Sequence, residues 1–428
     1  MINVLIDNIK KSSLDDKLAS VFFLFITISI SFFMYSGEIT RNFFYIVTYI
    51  SVIYFIYISL RVEKKIHFYP VACTILLLGI SKLLWVMLTV NHQYPLIAYH
   101  YQISGKRLIL ASFILYAIEH NIHKWKIPTL TVRTGISIMT LLFLIISATR
   151  IAYYLKTGDR IQINSDAPTS GAYTFTIFSL LVMYSLKYHA LKHYRFICLI
   201  VMTMTFAVLA ATETRSAMLL FTLISAGSII YDFVKSSHTS KMIYGFGITA
   251  LIIAAVLSGH PYYNKVLTRL DNLQNEVASY HEGNRNTSVG ARFSMWRAGL
   301  NVFEQHPFGQ SADSRNALAT TFIDQHEGGN PEALRNLQFH LHNDIIDTLS
   351  LQGIFGALIM VLFFAVLLLY PFRLIPKGYE FLLLSVPVIY FSQGDTQFYN
   401  RESPYFIVLV FAYLLMLRMR TRPSLEKQ

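Results

Sequence analysis

Apolar residues in this chain run in long blocks, and polar residues gather in the gaps between them. Blocks of roughly 17–25 residues are long enough to cross a hydrocarbon core of about 30 Å as helices. The blocks predict spans near 18–35, 43–60, 69–90, 105–119, 135–154, 172–186, 196–211, 216–231, 242–258, 349–370, 380–393 and 404–417. The stretches 105–119 and 380–393 are short, so tilted, broken or re-entrant helices fit them as well. The pattern breaks once, over 259–345. There Val266, Leu270, Leu273 and Val277 recur at helical spacing, and a second amphipathic stretch runs from Ser288 through Phe293, Trp296, Leu300 and Phe303. Asn330-Pro331-Glu332 reads as a helix start, with a capping side chain, a proline at the first position and an acid in the first turn. The expected architecture is an all-α polytopic membrane protein of about twelve transmembrane helices. It divides into 1–258 (helices one to nine), 259–345 (a large helical loop) and 346–428 (helices ten to twelve and a tail).

Composition strengthens this reading. The chain is 54% hydrophobic and only 14% charged, with 32 Phe and 27 Tyr, too few charges to cover a soluble domain of this size. Cys73 and Cys198 both lie in apolar blocks, so no disulfide framework is expected. The basic start (Lys10, Lys11, Lys17) precedes a full-length span with no small-residue cleavage site after it, so the first helix is expected to stay.

Charge sets the expected orientation. With the N-terminus inside, cytoplasmic segments collect Arg61, Lys64 and Lys65, then Lys124, Lys126 and Arg133, then Lys187, Lys192 and Arg195, and finally Arg418, Arg420 and Arg422. Short outer connections such as 91–104 are nearly free of Lys and Arg, as the positive-inside bias requires. Both termini are then cytoplasmic and the large loop faces outward. The net charge of +12 is spread over helix ends and one loop, with no continuous basic arm. Anionic headgroups and phosphate-bearing lipids account for it better than nucleic acid does.

The outer side gathers residues able to do chemistry: Lys106, Arg107, Arg215, Arg292, Arg315, His340, His342 and Asp395. Arg215 sits in Glu213-Thr214-Arg215-Ser216, a connection so short that two helices turn around it. Its planar fork suits phosphate oxygens, and snorkelling to headgroups is the structural alternative. Arg292 lies one turn before Trp296, where an interfacial helix is often basic for solvation alone. Lys106-Arg107 opens a span from the outer side, against the usual bias, and so meets either a site or a headgroup. Lys82, inside the third span, is within snorkelling reach of the outer interface, and its role stays open. In His340-Leu341-His342-Asn343-Asp344, two histidines on an extended segment would face the same way. A metal set lacks further ligands. A general base fits better, because an imidazole titrates near neutral pH, and a histidine bonding at a loop-to-helix junction is the structural alternative. Asp395, beside Gly394, could orient a histidine, pair with an arginine or cap a turn.

Three stretches resemble the O-antigen ligases (WaaL type) of the wider O-antigen ligase/polymerase family. They are Thr214-Arg215; Gly290-Ala291-Arg292 through Trp296 and Gly299 to Pro307-Phe308-Gly309, one residue tighter than the family's Pro-x-x-Gly; and His342-Asn343 followed by Gly353 and Gly356. Ser311-Ala312-Asp313-Ser314-Arg315 is similar to the enterobacterial ligases. The resemblance implies a membrane glycosyltransferase C-like fold in the bacterial inner membrane, with the active site facing the periplasm. It implies transfer of O-antigen from undecaprenyl diphosphate to the lipid A-core oligosaccharide, with neither metal nor nucleotide as cofactor. By position, His342 matches the catalytic histidine, Arg215 and Arg292 the essential arginines, and Asp395 a recurrent acid. Lys106, Arg107, Arg315, His340 and Asp395 are expected to bind substrate. An O-antigen polymerase using the same donor is the nearest alternative, and a protein O-oligosaccharyltransferase is another relative. A lipid-linked glycan transporter is the alternative of a different class, although its usual half-to-half symmetry is not visible here.

Overall fold

The computed structural model describes residues 14–63, 65–163, 168–189, 193–235, 275–280, 282–283, 285–374, 380–394 and 403–418. Among them the chain is all-helical. The helices are α1 (Leu14–Phe33), α2 (Gly37–Tyr57, extended by a wider turn over Ile58–Val62), α3 (Pro70–Leu88), α4 (Pro95–His120), α5 (Thr129–Thr157), α6 (Pro168–Tyr188), α7 (Tyr194–Thr212), α8 (Arg215–Lys235), α9 (Ser288–Gln305), α10 (Ala312–His326), α11 (Pro331–Leu337), α12 (Asp344–Leu374), α13 (Glu380–Gly394) and α14 (Ser403–Arg418). Seven are long and apolar enough to cross a membrane: α1, α2, α3, α5, α6, α7 and α12. Shorter apolar helices cover Arg215–Tyr231, Leu382–Gly394 and Ser403–Leu417. Eleven of the twelve expected spans coincide with described helices; the ninth, 242–258, lies outside the described residues, as do Val266, Leu270 and Leu273.

Helices α6 and α14 form the centre. The apolar window of α6 is 94% buried although it is the least hydropathic of the seven. Its sequence explains why it can sit there. Thr174, Thr176, Ser179 and Ser185 each return their hydroxyl to a carbonyl one turn back, so small polar side chains enter the core without an unmet donor. Every α14 residue from Ser403 to Leu417 is buried.

Helix α4 begins ten residues before the expected 105. Hydropathy misses its first turns because they carry polar side chains, of which Tyr101 bonds Asp347 on another helix. Helices α3 and α4 meet backbone to backbone at Gly79 and Gly105, where a β-carbon on either would lie within 2.9 Å of the other's carbonyl oxygen. Small residues permit this close crossing in lipid, where packing drives association.

Contacts show which helix ends lie together. Ser170 and Ser403, starting α6 and α14, are 3.4 Å apart. The amide of Ile161, after α5, donates to the Ala211 carbonyl at the end of α7. Asn343, before α12, donates to the Gln393 carbonyl at the end of α13. The connections assigned to the outer side by charge therefore gather at one end of the bundle.

Helices α9–α11 form a cap at this same end, with a small core of Ala291, Met295, Ala298, Val302, Ala319, Ile323, Ala333, Leu337 and Leu341. The expected start of α11 is present, since the Asn330 side chain accepts the Glu332 and Ala333 amides and Pro331 occupies the first position. Asp313, in the first turn of α10, docks the cap on the α3–α4 connection. Its carboxylate accepts the amides of His92 (2.7 Å), Gln93 (3.2 Å) and Tyr94 (3.0 Å). Burial opposes the charge, but these donors together hold the Asp313 carboxyl below its usual range. Trp85 Nε1 donates to the Gln310 carbonyl at 2.8 Å, and the Ala312 amide donates to Asn91 Oδ1 at 2.6 Å.

Candidate active site

The site is built around the turn 340–343, which leads into α12. Asn343 caps that helix by accepting the amides of Ile345 and Ile346 at 3.0 and 3.1 Å. Directly before it, His342 takes a left-handed conformation with φ of 52°, which costs a residue with a β-carbon about 1–2 kcal/mol. The turn is therefore not the extended segment expected from sequence. The two histidine rings still meet, edge to face, with centroids 4.3 Å apart. The amide of His342 donates to His340 Nδ1 at 3.2 Å, so His340 is a neutral acceptor in this arrangement.

Leu341, between the histidines, is gripped from two sides. Its amide donates to Asp347 Oδ1 at 3.2 Å, and its carbonyl accepts Trp296 Nε1 at 3.0 Å. Gly299, one turn after Trp296, leaves room for the Leu341 side chain; a β-carbon there would lie 2.5 Å from Cδ1. Arg292 precedes Trp296 by four residues and so stands on the same helix face. The spaced glycines and tryptophan of the cap are thus the seat of the histidine turn.

A second interlock fixes the rest of α12. Gly353 has φ 67° and kinks the helix. A β-carbon there would lie 2.4 Å from the Pro307 carbonyl oxygen, while the amide of Ile354 donates to that oxygen and Gln310 donates to Leu351. Pro307-Phe308-Gly309 and Gly353 are two halves of one joint, which is why both are short and glycine-dependent.

Arg215 opens α8, after a turn in which Glu213 has φ 53°. No acid occupies the first turn of α8, so the guanidinium adds its charge to the positive end of the helix, an arrangement that favours an anion. Contacts tie this end to the histidine turn. Ser216 bonds the Tyr173 hydroxyl at 2.8 Å, Tyr173 stacks on Phe391 at 3.7 Å between centroids, and Gln393, two residues on, accepts Asn343. Through Tyr173 of α6, the start of α8 therefore connects to the same end of α13 that the turn leading into α12 contacts.

The other expected residues divide. Lys106 is exposed, whereas Arg107 is buried with its guanidinium 5.2 Å from the Tyr405 ring. Both lie in the middle of α4 rather than at its mouth. Arg315, expected to bind substrate, is fully buried. It pairs with Asp347 at 3.2 Å and reaches the Leu337 carbonyl, contacts that tie the cap to α12. Lys82 does not snorkel; it is buried with its ammonium 4.1 Å from the Tyr101 ring. Asp395 lies outside the described residues.

Sequence reading missed Asp347, Tyr101 and Arg160. Asp347 was visible as an acid in the first turn of an apolar span, a rare and costly position. Arg160 Nε donates to the Thr212 carbonyl at 2.7 Å and so braces the turn before Arg215, a long-range contact with no local signal.

Fold and site together define a multi-pass helical membrane protein with a capped histidine turn and an arginine-bearing helix N-terminus at one end of the bundle. Residues 199–361 match the family model described as O-antigen ligase (Wzy_C). Arg215, Arg292, Arg315, His340 and His342 fall inside that match, while Lys106, Arg107 and Asp395 fall outside it. The chain is also 28% identical over 357 residues to an O-antigen ligase of Escherichia coli (strain K12), covering 81% of each chain. Both findings bear out the resemblance read in the sequence: the chain is similar to O-antigen ligases, and residues 199–361 carry the match to that domain.

Proposed function

We propose that the protein transfers O-antigen polysaccharide from undecaprenyl diphosphate to the lipid A-core oligosaccharide. The reaction takes place in the periplasmic leaflet of the inner membrane, with both chain termini in the cytoplasm. The observation that carries this reading is the Leu341–His342–Asn343 turn. Cap helix α9, helix α12 and helix α13 all hold it, and Tyr173 of α6 links α13 to the helix that Arg215 opens.

The chemistry follows from these groups. The acceptor hydroxyl oxygen attacks the anomeric carbon of the donor sugar, and the bond from that carbon to the diphosphate oxygen breaks. The electron pair stays on the diphosphate, and configuration inverts. His342 takes the hydroxyl proton, a step worth about 10²–10⁴-fold in rate for a weak nucleophile. Arg215 and Arg292 stabilise the charge gathering on the leaving group, which is most effective where water is scarce. In this scheme no metal is needed for charge neutralisation. Lys106, Arg107 and Asp395 bind the lipid-linked substrates, and His340 holds the His342 backbone.

The family spans ligases and polymerases, and the acceptor separates them. Purified protein given lipid-linked O-antigen and lipid A-core is expected to form the conjugate. Elongated lipid-linked glycan with lipid A-core ignored would assign a polymerase instead.

A further inference from the structure

We propose that Asp347 is a positioning residue for His342, acting through the Leu341 peptide. This rests on the reading of His342 as the base. His342 carries a backbone angle that its residue type resists, so something outside it must hold it there. The restraint is visible one residue earlier, where Asp347 accepts the Leu341 amide and Trp296 donates to the Leu341 carbonyl. The two bonds hold the peptide planes on either side of the Leu341 α-carbon, and the second of these planes carries the His342 amide.

Asp347 is itself over-determined. Arg315 binds Oδ1, the Tyr101 hydroxyl donates to Oδ2 at 3.0 Å, and Lys82 packs on the same tyrosine ring. All four side chains are buried. They come from α3, α4, α10 and α12, so one carboxylate ties three bundle helices and the cap to the histidine turn. Its place in the first turn of α12 also suits a negative charge. A salt bridge serving stability alone would not need the bond to Leu341.

The test is transfer kinetics on purified, folded protein with lipid-linked donor and lipid acceptor. Asp347→Ala is expected to lower kcat about tenfold to a hundredfold, the effect of a small misplacement of a reacting group, with KM for both substrates within twofold. Asp347→Asn keeps an acceptor for the Leu341 amide. It is expected to restore kcat to within threefold of wild type while still lowering the thermal midpoint, because Arg315 loses its counter-charge. Trp296→Phe removes only the donor on the carbonyl side and is expected to lower kcat about tenfold, a second route if Asp347→Ala does not fold. On a His342→Ala background, Asp347→Ala is expected to change residual transfer less than twofold. Near-wild-type kcat in Asp347→Ala or Trp296→Phe would overturn the proposal. So would equal losses on both backgrounds, or an Asn variant as slow as the Ala variant. A near-wild-type His342→Ala would instead remove the base assignment, and the two failures are thereby distinct.

Discussion

Helices α4 and α12 run parallel and are bolted together at both ends by the same device, reversed. At the capped end Tyr101 of α4 donates to Asp347 of α12 at 3.0 Å. At the opposite end Tyr370 of α12 donates to Glu119 of α4 at 2.8 Å, and the Ala72 amide of α3 completes the carboxylate at 2.9 Å. Each bolt sits in a polar cluster. The far one continues through Tyr69, His120 and Glu63, with Tyr69 2.9 Å from His120 Nδ1 and His120 3.4 Å from Glu63. The near one continues through Arg315 and Lys82. What differs is the backbone each carboxylate holds: Glu119 accepts the amide of a helix start, and Asp347 accepts the amide beside His342. Two structurally equivalent tyrosine–carboxylate pairs are therefore expected to answer differently to mutation, one through rate and the other through stability alone.

The largest expected effect is His342→Ala. Transfer should fall about 10²–10⁴-fold while binding of the lipid-linked donor, measured directly, stays near wild type. Next come Arg215→Ala and Arg292→Ala, each expected to lower kcat about 10²–10³-fold, the loss typical of a donor aimed at developing charge. Lysine at either position should recover only part of it, since a point charge lacks the planar fork. Single-turnover kinetics distinguish this from slow release.

The far bolt gives a smaller effect of another kind. Glu119→Gln should cost about 1 kcal/mol of stability, the worth of one buried hydrogen bond, with kcat within twofold of wild type. Thermal unfolding in detergent and the transfer assay read the two quantities separately.

The smallest effect belongs to the cap's dock. The Asp313 carboxyl is held below its unfolded range, so its contribution to stability is fully present above the unfolded value of about 3.9 and is lost as pH falls through the lower folded value. Asp313→Asn should therefore lower the thermal midpoint near neutral pH, and the gap to wild type should close in strong acid. A gap that widened on acidification would contradict the assignment.

Much of the bundle was legible because lipid demands long apolar blocks, and those blocks marked eleven of the described helices. The cap helix from Ser288 and the start at Asn330 were legible because periodicity and capping are local. The start of α4 was not, because Tyr101, Gln102 and Ser104 read as polar when their neighbours are unknown. The burial of Lys82 and Arg315 was not legible for the same reason. A buried charge and an exposed one look alike until a partner such as Asp347, 32 residues from Arg315, is folded against it. His342 was singled out through chemistry and spacing, yet its left-handed turn was not legible. That conformation is imposed by Trp296 and Asp347 from opposite directions.

The most direct measurement compares Asp347→Ala with Glu119→Ala in one transfer assay, each checked for folding. The account expects similar losses of thermal stability, with kcat reduced about tenfold or more in Asp347→Ala and within twofold of wild type in Glu119→Ala. Equal kcat in the two variants would contradict a catalytic centre at the capped end of the bundle.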